Sequence, residues 1–192
     1  MLLIDSVRIA VPDLAEATAA YQLLLGTDPV ARGDAQRFQL GRGAVELEAG
    51  HGGLHALRFT TNDPDAVTLP ASFCGLTVHI DPSDTERSHA LSAQVLAIDH
   101  VVIQTLDPAR AVTLWRDGLG LRLALDRVFA ERGLRLLFFR SGGITLEYAS
   151  PHPPAGATDD GKDRFYGLSY RVADLPAQRA RLAKIHQRDD KG

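Results

Sequence analysis

Cysteine is almost missing from this sequence of 192 residues, because Cys74 is the only one. An intrachain disulfide and a cysteine-rich zinc site are therefore excluded, and we expect a protein of the reducing cytoplasm. No run approaches the roughly 18 apolar residues of a membrane-spanning helix, and no export signal is recognisable. Basic clusters are missing too: 21 Lys and Arg face 24 Asp and Glu, for a net charge of −3. We therefore expect neither nucleic acid nor a membrane as partner.

An internal repeat organises what is there. The run IDHVVIQT, which begins at Ile98, matches IDSVRIAV, which begins at Ile4, at an offset of 94 residues. In both copies this alternating run predicts a strand. An Asp beside a Pro then predicts the cap of an amphipathic helix, which a glycine should end in a left-handed conformation. The caps are Asp13 and Asp107, and the terminating glycines are Gly26 and Gly120.

Each copy continues with three strand-like runs, so each is a βαβββ module. Residues 54–81 keep a first and a last strand without room for a full helix, and residues 165–192 keep a strand and a helix without closing strands. We therefore predict one module pair over 1–80, with a reduced second module, a polar linker over 81–96, and another pair over 97–192, whose last module is truncated. An open sheet edge in that last module would need to be covered, which predicts a homodimer.

The residues IDHVVIQTLDPARAVTLWRDGLGLRL and LLFFRSGGITLEYA resemble the vicinal oxygen chelate superfamily of glyoxalases, bleomycin-resistance proteins and extradiol dioxygenases. The resemblance covers roughly residues 1–50 and 97–180. It implies an α+β, glyoxalase-like fold in which repeated βαβββ modules form curved mixed β-sheets with helices on the convex face. It also implies that the concave face holds a small molecule and a divalent metal ion, bound by residues of the first and last strands of the modules.

Strand alternation agrees with that implication in the third module. His100 shares a face with Val102 and Gln104, and Glu147 shares a face with Thr145, so both candidate ligands should point into the concavity. Imidazole and carboxylate suit Fe, Mn, Zn, Ni or Co. Glu147 is also a candidate catalytic base.

The other modules depart from the pattern. Ser6 takes the histidine position of the first module, with Glu48 at the glutamate position. Ala56 takes the histidine position of the second module, with His55 on the opposite face and His79 replacing the glutamate, and the fourth module has Gly167. Arginine–carboxylate pairing in the first concavity, between Arg8 or Arg58 and Glu46 or Glu48, argues against a metal ion there.

Three arrangements remain open. If modules pair in sequence order, His100 and Glu147 have no protein ligand from the fourth module. If the complete modules pair with each other, Glu48 joins His100 and Glu147 as a metal ligand. In the third arrangement the concavity is a pocket without metal. Arg127 and Arg135 are candidates for clamping an anionic substrate, although solvated edge charge explains them more simply.

The leading functional hypothesis is a divalent-metal-dependent enzyme that acts on a small oxygenated substrate as a lyase, an isomerase or a ring-cleaving dioxygenase. The alternative is a non-catalytic small-molecule-binding protein of the bleomycin-resistance type, without metal. A shortened relative without activity is the third hypothesis.

Overall fold

A computed structural model describes residues 1–65, 67–68, 70–83, 94–153 and 161–189 of the chain. Within these residues two β-sheets form, of six and five strands. The first sheet takes its strands from Leu3 to Pro82, and the second from Val95 to Val172. Most of the predicted linker over 81–96 lies outside the described residues. None of the described helices is long and apolar enough to span a membrane.

The first sheet has the strand order β2-β3-β4-β1-β5-β6. Strand β1 runs parallel to β4 on one side and antiparallel to β5 on the other. Strand β5 in turn runs parallel to β6. The strands are β1 (Leu3–Val11), β2 (Val30–Arg32), β3 (Ala35–Gln39), β4 (Ala44–Ala49), β5 (Gly53–Thr61) and β6 (Thr77–Pro82).

The second sheet has the order β11-β7-β10-β9-β8. Its central strands repeat those of the first sheet, because β7 is parallel to β10 and antiparallel to β11. Strands of the first and second predicted modules therefore share one sheet, and strands of the third and fourth share the other. The strands are β7 (Val95–Gln104), β8 (Arg122–Phe129), β9 (Leu134–Ser141), β10 (Ile144–Pro151) and β11 (Arg164–Val172).

The helices form where the caps predict them. Helix α1 (Leu14–Leu25) begins after Asp13, whose carboxylate accepts a hydrogen bond from the Glu16 N–H, and ends at Gly26 with φ of 68°. Helix α2 (Pro108–Val112) begins after Asp107 in the same way. It continues as a π-helical turn over Thr113–Gly118, which differs from the regular helix that the spacing predicts. Helix α3 (Leu175–Asp189) closes the described chain.

The two sheets share one core, which holds the helices on the side opposite the polar faces. The Trp115 ring is buried and lies 5.6 Å from the Phe59 ring of the first sheet and 6.4 Å from the Tyr148 ring of the second. Backbone contacts also join the halves, since the Ile98 N–H donates to the Arg42 carbonyl at 3.1 Å. The α+β fold with repeated modules and helices on the convex faces is thus confirmed.

Matching β-bulges interrupt the pairing in both sheets. Asp5 is an extra residue on β1 relative to β5, and Asp99 is an extra residue on β7 relative to β11. A second irregularity leaves His55 extra on β5 and Tyr166 extra on β11. A bulged residue leaves the strict alternation of side chains, so its direction cannot be read from the spacing alone.

Candidate functional site

His100 and Glu147 project from the same face of the second sheet. Their strands are hydrogen-bonded neighbours, with His100 opposite Thr145 and Glu147 opposite Val102. The two side chains are therefore diagonal neighbours, at a separation that long side chains bridge. The structure confirms that the predicted pair shares one face.

Two polar groups orient the His100 ring. Its Nδ1 lies 3.2 Å from the Ser169 hydroxyl and 3.2 Å from a carboxylate oxygen of Asp99. The Phe138 ring packs against it, with ring centroids 5.5 Å apart. Asp99 is itself ion-paired with Arg171. A proton on Nδ1 suits these acceptors and leaves the Nε2 lone pair available as a metal ligand.

Glu147 has apolar neighbours on both sides in its row of the sheet. Phe138 lies opposite it on β9 and Val102 lies opposite it on β7. The side chain is half-buried, and it forms no hydrogen bond or ion pair with any described residue. A carboxylate in such surroundings is free to bind a cation or to accept a proton from a ligand.

The donor types of His100 and Glu147 suit a divalent metal ion. Imidazole nitrogen and carboxylate oxygen match the donor preferences of first-row divalent ions. Among the described residues, however, no group of three or more His, Cys, Asp and Glu could hold a metal ion. His100 and Glu147 would thus leave several coordination positions to water or to a substrate.

In the first sheet, arginines neutralise the glutamate that is equivalent to Glu147. Glu46 lies opposite Arg8 in the register position that Glu147 holds opposite Val102. The Glu46 carboxylate is buried and lies 2.5 Å from Arg37, 3.5 Å from Arg32 and 3.7 Å from Arg8. Although burial opposes it, the contacts with Asp5 and Glu46 raise the pKa of the Arg37 guanidinium.

The sequence analysis assigned Glu48 to the glutamate position of the first module, but Glu48 lies two residues further along β4 than that position. It is opposite Ala10, and the corresponding residue of the second sheet is Ala149, so Glu46 rather than Glu48 is the counterpart of Glu147. Glu48 forms an ion pair with Arg8 and lies 2.9 Å from the His55 Nε2. The structure brings Glu48 to these partners on the first sheet and not to the face that carries His100.

His55 is a polar residue of the first concavity that the alternation rule misplaced. The rule assigned it to the face opposite Ala56, but the extra residue at this point of β5 turns it towards Glu48. Asp81 on β6 is another member, through an ion pair with Arg58. A bulge has no reliable sequence signal, so spacing could not have identified His55.

A cavity of about 290 Å³ lies at the far end of the face that carries His100. Gln104 and Ala149, which are paired on β7 and β10, line it together with Leu134, Lys162 and Arg164. The cavity thus lies near the ends of two parallel strands, and His100 and Glu147 are not in its lining.

Residues 99–187 match the family described as the Glyoxalase/Bleomycin resistance protein/Dioxygenase superfamily. This second half of the chain is thus similar to that superfamily. The match begins at the Asp99 bulge and includes His100, Glu147 and both elements of the fourth module. Among curated protein sequences, none matches the chain.

Solved structures share the fold over most of this chain. The 2,2',3-trihydroxybiphenyl 1,2-dioxygenase from Sphingomonas wittichii strain RW1 is 15% identical, with a TM-score of 0.70 over 95% of this chain and 78% of that one. A variant of homoprotocatechuate 2,3-dioxygenase from B. fuscum is 14% identical, with a TM-score of 0.70 over 96% and 62%. A 4-hydroxymandelate synthase variant from Streptomyces coelicolor is 14% identical, with a TM-score of 0.67 over 93% and 74%. At these identities the likeness shows the fold alone.

Proposed function

We propose that the protein is a divalent-metal-dependent enzyme of the glyoxalase and dioxygenase type, acting on a small oxygenated substrate at the concave face of the second sheet. His100 and Glu147 would hold the metal ion. The observation that carries the proposal is the contrast between Glu46, which three arginines surround, and Glu147, which has no ionic partner among the described residues. The glutamate at this position binds arginines in the first sheet, whereas in the second sheet it is available to bind a cation.

The residues around the pair have distinct roles in this proposal. When bound, a divalent ion supplies Lewis acidity to substrate oxygens. Asp99 and Ser169 hold the His100 ring in the orientation that presents Nε2. Glu147 serves as a ligand or accepts a proton from the substrate, and Phe138 shields the pair from water on one side.

Elemental analysis of protein purified without chelator tests the proposal. We expect a divalent metal in the wild-type protein and its loss in His100→Ala and Glu147→Gln. His51→Ala is the control, because His51 is exposed and lies in the turn between β4 and β5. Metal that is absent from the wild-type protein, or that His100→Ala and Glu147→Gln retain in full, would contradict the proposal.

A non-catalytic binding protein is the second candidate. The observation that favours it is the absence of a third His, Cys, Asp or Glu ligand beside His100 and Glu147 in the described part of the chain. In that case small planar ligands should raise the melting temperature equally with and without EDTA. Stabilisation that EDTA abolishes would favour the enzyme instead.

A homodimer and a cytoplasmic location complete the proposal. Strand β11 ends the second sheet, whereas its counterpart β5 is covered by β6 in the first. An uncovered edge presents unpaired backbone groups that a second copy can cover. Sedimentation velocity should therefore show a dimer, and a stable monomer would remove the expectation. The location rests on the single cysteine of the sequence.

A further inference from the structure

One straight row of polar residues crosses all five strands of the second sheet on the face that carries His100. Each member lies directly opposite the next, and cross-strand partners project from the same face. Two contacts tie the row together: Arg140 Nη1 donates to the Thr145 hydroxyl at 2.7 Å, and His100 Nδ1 lies 3.2 Å from the Ser169 hydroxyl. This polar row consists of Arg122, Arg140, Thr145, His100 and Ser169.

Arg122 and Arg140 are an unfavourable pair by themselves. Like charges that face each other on neighbouring strands destabilise a sheet. Both side chains are exposed, and neither forms an ion pair with a carboxylate among the described residues. Among the described residues, the one side-chain hydrogen bond of the pair is that from Arg140 to Thr145. Two adjacent positive charges therefore have no ion-pair partner in the described part of the chain.

Other arginines near the two sheet faces do have partners. In the first sheet Arg8, Arg37 and Arg58 are ion-paired with Glu48, Glu46 and Asp81. In the second sheet Arg135 binds Asp126 through two hydrogen bonds of 2.8 Å, and Arg127 lies over the Phe129 ring. The two arginines that the sequence suggested as a clamp thus already have partners, whereas Arg122 and Arg140 have no ion pair among the described residues.

We propose that Arg122 and Arg140 bind the anionic group, a carboxylate or a phosphate, of the small molecule that occupies this face. Guanidinium groups bind both oxyanions through paired hydrogen bonds. Arg140 is two strands from His100, a separation of roughly 10 Å. An anion at the arginines would place the far end of a molecule about one aromatic ring long beside His100 and Glu147.

Space for such a group exists beside the arginines. A cavity of about 700 Å³ has both Arg122 and Arg140 in its lining, together with Gly118–Leu121, Gly142 and the carboxylate residue Asp63. The inference rests on the proposed function only for the location of the reacting end, because anion binding itself requires no metal ion.

The test is an NMR titration at low salt with EDTA present, using phenylacetate, phenyl phosphate and the neutral phenylacetamide. The wild-type protein should bind at least one anion about tenfold more tightly than phenylacetamide, since one charged hydrogen-bonding group contributes this order of free energy. Tighter binding of phenyl phosphate would identify a phosphate site, and tighter binding of phenylacetate a carboxylate site.

Arg122→Gln and Arg140→Gln should each weaken anion binding about tenfold and leave phenylacetamide binding unchanged. Arg116→Gln is the matched control, because it removes the same charge from an exposed side chain that is paired with Asp117. Both variants should fold, since each relieves a like-charge contact. Equal binding of anions and phenylacetamide by the wild-type protein, or anion binding by both variants that equals that of Arg116→Gln, would overturn the inference.

Metal content separates this inference from the proposed function. Anion binding that survives in a protein without metal would support the arginine site while contradicting the metal centre. Metal binding without any preference for anions would support the metal centre and overturn the arginine site.

Discussion

Glu46 on β4 and Glu147 on β10 occupy the same register position in the two sheets, but Glu46 faces Arg8 whereas Glu147 faces Val102. The exchange of arginine for valine on the neighbouring strand gives the two glutamates different chemistry. Arg8 forms part of an ion-pair network that fills the first concavity, whereas Val102 offers Glu147 no positive charge. Glu147 is therefore available to bind a cation partly because its neighbour on the next strand is Val102 and not an arginine.

A guanidinium placed opposite Glu147 should remove its affinity for a cation. We expect Val102→Arg to lower metal affinity tenfold or more, because a charge at this separation opposes the ion directly. Val102→Gln is the control, since it adds a polar side chain of similar length without charge. Metal titration by calorimetry measures both, and equal affinities in the two variants would show that the exchange at this position is unimportant.

The Asp99 bulge should affect metal affinity through His100. Asp99→Asn weakens the acceptor 3.2 Å from the His100 Nδ1, and loss of such an outer partner typically lowers metal affinity 10- to 100-fold. Asp5→Asn changes the same bulge position of the first sheet, where the partner is Arg37. That variant should lose stability and keep its metal affinity. Equal metal affinities in Asp99→Asn and the wild-type protein would remove the orienting role of Asp99.

The hydrogen bond between Trp115 and Tyr148 should stabilise the shared core. The indole N–H donates to the Tyr148 hydroxyl at 2.6 Å, and both side chains are buried. Tyr148→Phe leaves the indole N–H without this acceptor and should lower the free energy of unfolding by about 1–3 kcal/mol. Tyr170→Phe is the control, because the Tyr170 hydroxyl forms no hydrogen bond with a described residue. Urea unfolding compares the two, and equal losses would contradict the assignment.

Asp163 should make stability fall as pH rises from its unfolded pKa through its raised folded pKa. Its side chain is fully buried beside Arg110, and burial raises the pKa of its carboxyl group more than Thr105 and Arg110 lower it. The folded state therefore holds the Asp163 proton at pH values where the unfolded chain has lost it. The proton contributes its full stability below the unfolded pKa of about 3.9. This contribution is lost as the pH rises through the raised folded pKa.

Asp163→Asn and Asp126→Asn should change the pH dependence of the free energy of unfolding in opposite directions. Urea unfolding from pH 3 to pH 7 should show the advantage of wild type over Asp163→Asn shrinking as pH rises. Arg135 lowers the pKa of Asp126, so the advantage of wild type over Asp126→Asn should shrink as pH falls. If the advantage of wild type over both variants changed in the same direction with pH, the assigned pKa shifts would be contradicted.

The repeat and the caps allowed much of the fold to be predicted. Asp13 and Asp107 cap their helices as expected, and Gly26 and Gly120 adopt the left-handed conformation that ends each helical segment. These predictions succeed because a cap depends on a few neighbouring residues. The shared face of His100 and Glu147 was predictable for a similar reason, since pairing from His100 to Gln104 with Thr145 to Ala149 is uninterrupted.

The register of the last strands and the bulges was not predictable. The glutamate assignment in the first module was wrong by two residues, with Glu46 in the position assigned to Glu48, because loops of different length precede the two strands. His55 reaches Glu48 only through an extra residue on its strand. Similarly, Arg122 and Arg140 become neighbours through long-range pairing, and their spacing in sequence carries no sign of it.

The ion-pair network around Glu46 also limits how the first half could change during evolution. A single substitution at Ser6 would bring a histidine to the right place, but Arg8, Arg32 and Arg37 would still surround the carboxylate. Removing Arg37, which lies closest to the carboxylate, would leave buried negative charge undercompensated and would reduce stability. A second centre is thus several mutations away, and the intermediate without Arg37 would be less stable than its parent.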